Sequence, residues 1–212
     1  MTDQDTNPTD WIDDALEDFD AEKETFDNLR LPGNSKMTRK ELKRKAVLVK
    51  RKQKIYEVLS EGLPQPGHVI TVGNPYAYDF WQLIPYVVEQ LNGVDECYIS
   101  TWSMAKEFLL EYFKMIDAGK IKKPAMLTDV SFNHRRSSLY TQLVTGLTNR
   151  GGRYIAFRNH AKAMLFQKNE HYISIVGSAN LTLNPRFELY SISNDQELYE
   201  FHQAWMEEML NG

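Results

Sequence analysis

The stretch RYIAFRNHAKAMLFQKNEHYISIVGSAN, residues 153–180, decides how this chain folds. Residues 153–157, 162–166 and 172–176 are apolar, partly β-branched or aromatic runs separated by short polar breaks, the pattern of three closely spaced strands. The second and third form a predicted hairpin. Its turn places Gly177-Ser178-Ala179-Asn180, at the end of one strand, beside His160-Ala161-Lys162, at the start of the other. Side chains two residues apart in an extended chain share a face. His160 and Lys162 therefore pair a nucleophile with a cation, and Ser178 and Asn180 supply hydrogen bonds to the same small volume. That set suits a phosphodiester: something to attack phosphorus and something to hold its charge. Read separately the two pieces are weak, since polar residues alternate along any half-exposed strand and Gly, Ser and Asn favour turns. Their convergence carries the reading.

Working outward, strands and helices alternate from His68 onward. Predicted strands cover residues 69–72, 98–101, 125–130 and 187–192. Predicted helices cover 78–91, 103–118, 136–148 and 196–210. This order implies an α/β fold, a mixed sheet flanked by helices on both faces, with an N-terminal helical extension. The expected organisation is an acidic tail over residues 1–35, a basic helix over 36–62, and an α/β domain over 63–212. The tail is rich in Asp and ends in the turn cluster Pro32-Gly33-Asn34-Ser35. Within it Trp11, Ile12, Leu16 and Phe19 fall at helical spacing. In the basic segment Thr38 and Glu41 form a capping-box pattern, and Lys43, Arg44, Lys50 and Arg51 are candidate phosphate-binding residues. Solvated surface, nucleic-acid contact and docking of the acidic tail all remain open for that helix.

The chain has 212 residues, 42% of them hydrophobic and 25% charged, with net charge −4; these are ordinary values for a globular protein. The charge averages an acidic start and a basic segment, so it is a poor guide to partners. The single cysteine, Cys97, excludes an intramolecular disulfide and reads as a buried strand thiol. No apolar run approaches the roughly 20 residues of a membrane span, and the start lacks a signal-peptide pattern, so a cytoplasmic location is expected. No metal-ligand cluster stands out, and no metal or other cofactor is expected. His134 and Arg135 follow a predicted strand end and could grip a second phosphate. Trp102 lies where open sheets place ligands, though core packing is the favoured reading, and the aromatics Tyr76, Tyr78, Phe80 and Trp81 could stack on bases or, as favoured, fill a helix face.

His160, Lys162, Gly177, Ser178 and Asn180 resemble the signature of the phospholipase D superfamily, H-x-K-x4-D followed by G-S-x-N. Glu188 matches the acidic residue that in that family pairs with the active-site histidine. Two departures stand out. Gln167 occupies the signature aspartate position, and the spacer to Gly177 is three residues longer than the pattern, which predicts an enlarged hairpin tip over residues 168–171. The resemblance covers about thirty residues. It implies a metal-independent phosphodiesterase that passes through a phospho-histidine. One signature per chain further implies a homodimer in which each subunit gives its histidine to one shared site, because a single imidazole cannot be nucleophile and acid at once. The basic segment favours a nuclease acting on DNA or RNA, with no membrane partner. The alternative is a catalytically silent nucleic-acid-binding or assembly protein that keeps the fold.

Overall fold

The computed structural model describes residues 53–183 and 185–212. The acidic tail, most of the basic helix, and the candidate residues Lys43, Arg44, Lys50 and Arg51 lie outside the described residues. Residues 53–58 are helical and bury Ile55; the turn that follows holds Gly62 at φ 86°.

Seven strands form one sheet in the order β1-β7-β6-β5-β2-β3-β4. They are β1 (His68–Pro75), β2 (Val94–Thr101), β3 (Ile121–Asp129), β4 (Arg153–Phe157), β5 (Ala163–Lys168), β6 (His171–Gly177) and β7 (Phe187–Asn194). β2, β3 and β4 run parallel; β5 opposes β2, and β5, β6, β7 and β1 pair antiparallel. The parallel half needs crossovers, which α2 (Lys106–Asp117) and the helices α3 (Ser131–Arg135) and α4 (Ser137–Thr148) supply. The other helices are α1 (Leu83–Gln90), entered through a single 3-10 turn at Phe80–Gln82, and α5 (Gln196–Asn211).

Strand periodicity sorts the core into two layers. Cys97, Ile99, Met164, Phe166, Ile173 and Ile175 point to the side covered by Leu83, Ile84 and Val87 of α1, Phe108 and Tyr112 of α2, and Leu143 and Leu147 of α4. Tyr98, Ala125, Leu127, Ala163 and Leu165 point the other way, under Tyr199 and Met206 of α5. Helices thus cover both faces, as the strand–helix alternation predicts. Asp195 caps α5 by accepting from the Leu198 amide at 2.8 Å, a contact worth about 1 kcal/mol. Cys97 is fully buried, which pushes its thiol up to about 12.

The hairpin corrects one expectation. Lys168 pairs with His171, so only Asn169 and Glu170 make the turn, with Asn169 at φ 50°. The ladder thus runs to Lys168 and His171, and the tip is two residues, not the four of 168–171. Tyr78, Phe80 and Trp81 are buried, and Tyr78 shares a short hydroxyl contact with Tyr190. Among the described residues, no helix is long and apolar enough to cross a membrane.

Candidate active site

The site forms where β5 begins and β6 ends. His160 and Lys162 lie in the extended segment leading into β5, and the Gly177 amide donates to the Lys162 carbonyl at 3.2 Å, locking that segment to the end of β6. The His160 side of this segment is exposed, whereas Lys162 is only 8% exposed. The Lys162 ammonium donates to the His160 carbonyl at 2.7 Å and lies 3.0 Å from Nδ1 and 3.3 Å from Nε2 of the imidazole. An ammonium has only donors, so a ring nitrogen facing it must accept through its lone pair. Burial lowers the Lys162 pKa, and the charge of Glu188 opposes that shift.

Glu188 comes from β7. Its carboxylate accepts a short hydrogen bond from the Ser178 hydroxyl, and that hydroxyl also accepts from the Leu189 amide at 3.1 Å. The Ser178 amide in turn donates to the Leu189 carbonyl at 3.0 Å. Gly177 makes this closeness possible. A Cβ there would lie 2.5 Å from Tyr190 Cβ and 2.7 Å from the Leu189 carbonyl oxygen, so only glycine lets β6 finish against β7. Asn180 is half-buried, and its Oδ1 is buried without a hydrogen-bond partner. A polar atom desolvated in this way is costly unless something else pairs with it. A narrow cleft beside it is lined by Asn74, Asp79, Asn180, Thr182 and Glu188.

Two loops are stitched together under the site. Met104 forms a parallel bridge with Leu181, the Leu181 amide donates to the Ser103 carbonyl at 3.2 Å, and the Ala105 amide donates to the Leu181 carbonyl at 2.8 Å. The first of these loops carries Trp102, which is half-buried; its ring centroid is 6.0 Å from that of His160, at an interplanar angle of 56°. Trp102 therefore belongs to the wall of the site and not to the core, as sequence alone had it. The Arg135 guanidinium lies 3.7 Å from the Trp102 ring centroid and donates to the Trp102 carbonyl at 3.0 Å. Burial lowers the Arg135 pKa, with Asp129 opposing and Arg136 reinforcing the shift. His134, on the same short helix, is exposed.

Structure thus gathers His160, Lys162, Ser178, Asn180 and Glu188 around one strand junction and connects Arg135 to it through Trp102. Sequence reading missed Asp129, Asn159 and Ser100, which hold the backbone around His160. Their signal was slight: a strand-end Asp and an Asn next to the histidine. Among the described residues, no group of three or more His, Cys, Asp or Glu is placed to hold a metal ion.

No protein-family model matches the sequence, and no curated protein matches it either. Solved structures do. A polyphosphate kinase from Porphyromonas gingivalis is similar at TM-score 0.51 and 12% identity, over 68% of this chain and 26% of that one. NucT from Helicobacter pylori and Nuc from Salmonella typhimurium, a phospholipase D family member, are similar at TM-score 0.49 and 15% identity. Each of those two matches spans 68% of this chain, and 96% and 94% of theirs. The likeness to the polyphosphate kinase is one of fold, over the α/β part that it covers.

The departure at Gln167 falls far from the candidate site. Gln167 pairs with Tyr172 near the hairpin turn and donates to the Asn169 carbonyl at 2.9 Å. Five residues of extended chain put it about 16 Å along β5 from Lys162. Its side chain serves the turn, and the His160–Lys162 contact forms without help from this position.

Proposed function

We propose that this protein is a phosphodiesterase, and specifically a nuclease, with His160 as nucleophile. The observation that carries the reading is the exposed His160 imidazole held against the buried Lys162 ammonium, at 3.0 and 3.3 Å, beside the Ser178–Glu188 pair. A ring nitrogen attacks phosphorus, forming an N–P bond as the P–O bond to the leaving group breaks. Lys162 and the Asn180 side chain meet the charge that builds on the non-bridging oxygens, where fixed donors act most strongly in a desolvated site. Ser178 donates to a phosphate oxygen or, through Glu188, orders the ring environment. Water then attacks the phospho-histidine, releases the second product and regenerates the imidazole.

The leaving oxygen needs a proton, and the attacking water must lose one. The cycle assigns both tasks to His160 of the partner subunit in a two-fold homodimer, which gives one imidazole the basic role and the other the acidic role. Nucleic acid is the proposed substrate because the sequence between residues 36 and 54 is strongly basic and because Arg135 and His134 stand on the Trp102 side of the site. In this reading Lys43, Arg44, Lys50, Arg51, His134 and Arg135 contact the phosphate backbone.

The test is cleavage of single- and double-stranded DNA and RNA in excess EDTA, wild type beside His160→Ala. We expect cleavage by wild type, loss of it in the variant, and unchanged folding by circular dichroism. Cleavage by His160→Ala at the wild-type rate, or a requirement for added Mg²⁺, would overturn the mechanism. The dimer is tested by mixing inactive His160→Ala with wild type and assaying after subunit exchange: activity then falls below the arithmetic mean of the two.

A further inference from the structure

We propose that Asp129, at the end of β3, is a positioning residue that fixes His160, in the segment between β4 and β5, from both its backbone and its ring side. The inference rests on the phosphodiesterase reading only for the reaction it assists.

The need is plain in the chain. Residues 158–162 belong to no strand, so no ladder holds the backbone at His160, and any freedom left there would have to be lost at the moment of reaction. Asp129 meets that need through two arms. Along the first, its Oδ2 accepts from the Asn159 amide at 3.0 Å. Asn159 is itself buried; its Oδ1 accepts from the Ala161 amide at 2.9 Å and its Nδ2 donates to Ser100 Oγ at 2.9 Å. Ser100 Oγ closes the ring by donating to the Ala161 carbonyl at 3.2 Å. The residues on either side of His160 are thereby tied to β3 and β2, while the histidine side chain stays open to solvent.

Along the second arm, Asp129 Oδ1 accepts from the Ser131 amide at 2.9 Å and, in a short contact, from the Ser131 hydroxyl. Ser131 Oγ accepts from Arg135 Nε at 3.1 Å; Arg135 donates onward to the Trp102 carbonyl and lies over the indole. The indole lies against the His160 ring, tilted by 56° at 6.0 Å between centroids. One carboxylate therefore aligns the peptide units beside the imidazole and the aromatic wall it rests on. Burial raises the Asp129 pKa, but its bonds to Ser131 and Asn159 and the charge of Arg135 outweigh this and hold it below the ordinary value. The charged form is the one that accepts on both oxygens. An amide cannot, because one of its two heads is a donor that would face an N–H or O–H group.

Three variants test the assignment: Asp129→Asn, Ser131→Ala, which cuts only the ring arm, and Asn159→Ala, which cuts only the backbone arm. Measurements are kcat and KM on bis(4-nitrophenyl) phosphate, the thermal midpoint, and the NMR signals of the His160 ring. Misplacing a reacting group by about 1 Å costs on the order of 10²-fold in rate. We expect Asp129→Asn to lower kcat at least about tenfold with little change in KM. We expect Ser131→Ala to move the His160 ring signals away from their Trp102-shifted positions while the circular dichroism spectrum stays the same. Wild-type kcat and wild-type ring signals in both variants would overturn the proposal. If wild type fails to turn over the ester, the phosphodiesterase reading falls, and the ring signals alone still decide whether Asp129 orients His160. If Asp129→Asn does not fold, unchanged ring signals in both Ser131→Ala and Asn159→Ala overturn it equally.

Discussion

Lys162→Met separates the two roles of a buried ammonium, charge stabilisation in the reaction and cost to the fold. Met fills a similar volume with no charge, so packing around the 8% exposed side chain is kept. What disappears is a donor 2.7 Å from the His160 carbonyl and 3.0 Å from its Nδ1. Removing one fixed donor to a charge that develops in the transition state costs about 2.7–4 kcal/mol, a fall of about 10² to 10³ in kcat. If the site is shared by two subunits as proposed, two such donors are lost and the expected fall lies at or beyond the upper end. Stability responds with the opposite sign. Burial lowers the Lys162 pKa, with Glu188 opposing, so the charged form costs folding free energy below that lowered pKa. Wild type recovers this cost as pH climbs from there toward 10.5, and Met never carries it. The stability of the variant relative to wild type is therefore greatest near neutral pH and declines as pH rises toward about 10. Urea unfolding of both proteins across that range gives the difference, and turnover of bis(4-nitrophenyl) phosphate gives the rate. Wild-type turnover by the variant would refute the charge role; a stability difference that does not change with pH would refute the account of burial.

Three further outcomes can be measured directly. Glu207, held by Arg153 and then by Tyr98 and Asn211, has its pKa lowered to about 2, so its contribution is full above the ordinary 4.5 and fades as pH falls from there toward 2. Glu207→Gln should cost about 1–2 kcal/mol at neutral pH, after allowing for solvent around the pair, with the gap to wild type closing near pH 2 in urea titrations. Gly177→Ala should separate β6 from β7, costing at least about 1 kcal/mol and most of the activity, because the added Cβ meets backbone and not a yielding side chain. Leu165→Ala, fully buried under α5, should lower stability by about 2–5 kcal/mol in the same unfolding assay while leaving KM unchanged.

Much of this could be read from the chain because its strands alternate so regularly. Met164 and Phe166 face one layer while Ala163 and Leu165 face the other; His160 and Lys162 lie just before β5, and Ser178 and Asn180 just after β6, so the ladder places them only through its ends. The readings failed where local polarity hid pairing. β2 begins at Val94 and carries Asp95 and Glu96, and β3 begins at Ile121 with two lysines and Pro124. These halves look like loops, yet Lys122 and Lys168 pair with Asp95, and Lys123 pairs with Glu96. Pro124 is tolerated because β4 joins only at Ala125, so no ladder partner demands its missing N–H on that side. The five-residue helix at Ser131–Arg135 was too short for periodicity to reveal; it is started by the Asp129 carboxylate, and Trp102 gained its place at the site through that same short helix. Such long-range contacts leave no mark in neighbouring residues.

The bridge between Met104 and Leu181, with its two flanking backbone bonds, has a mechanical consequence. Because the segment bearing the indole and the segment bearing the amide side chain share main-chain bonds, neither can swing outward like a door without dragging the other. Any gating of the proposed site would therefore have to come from other segments.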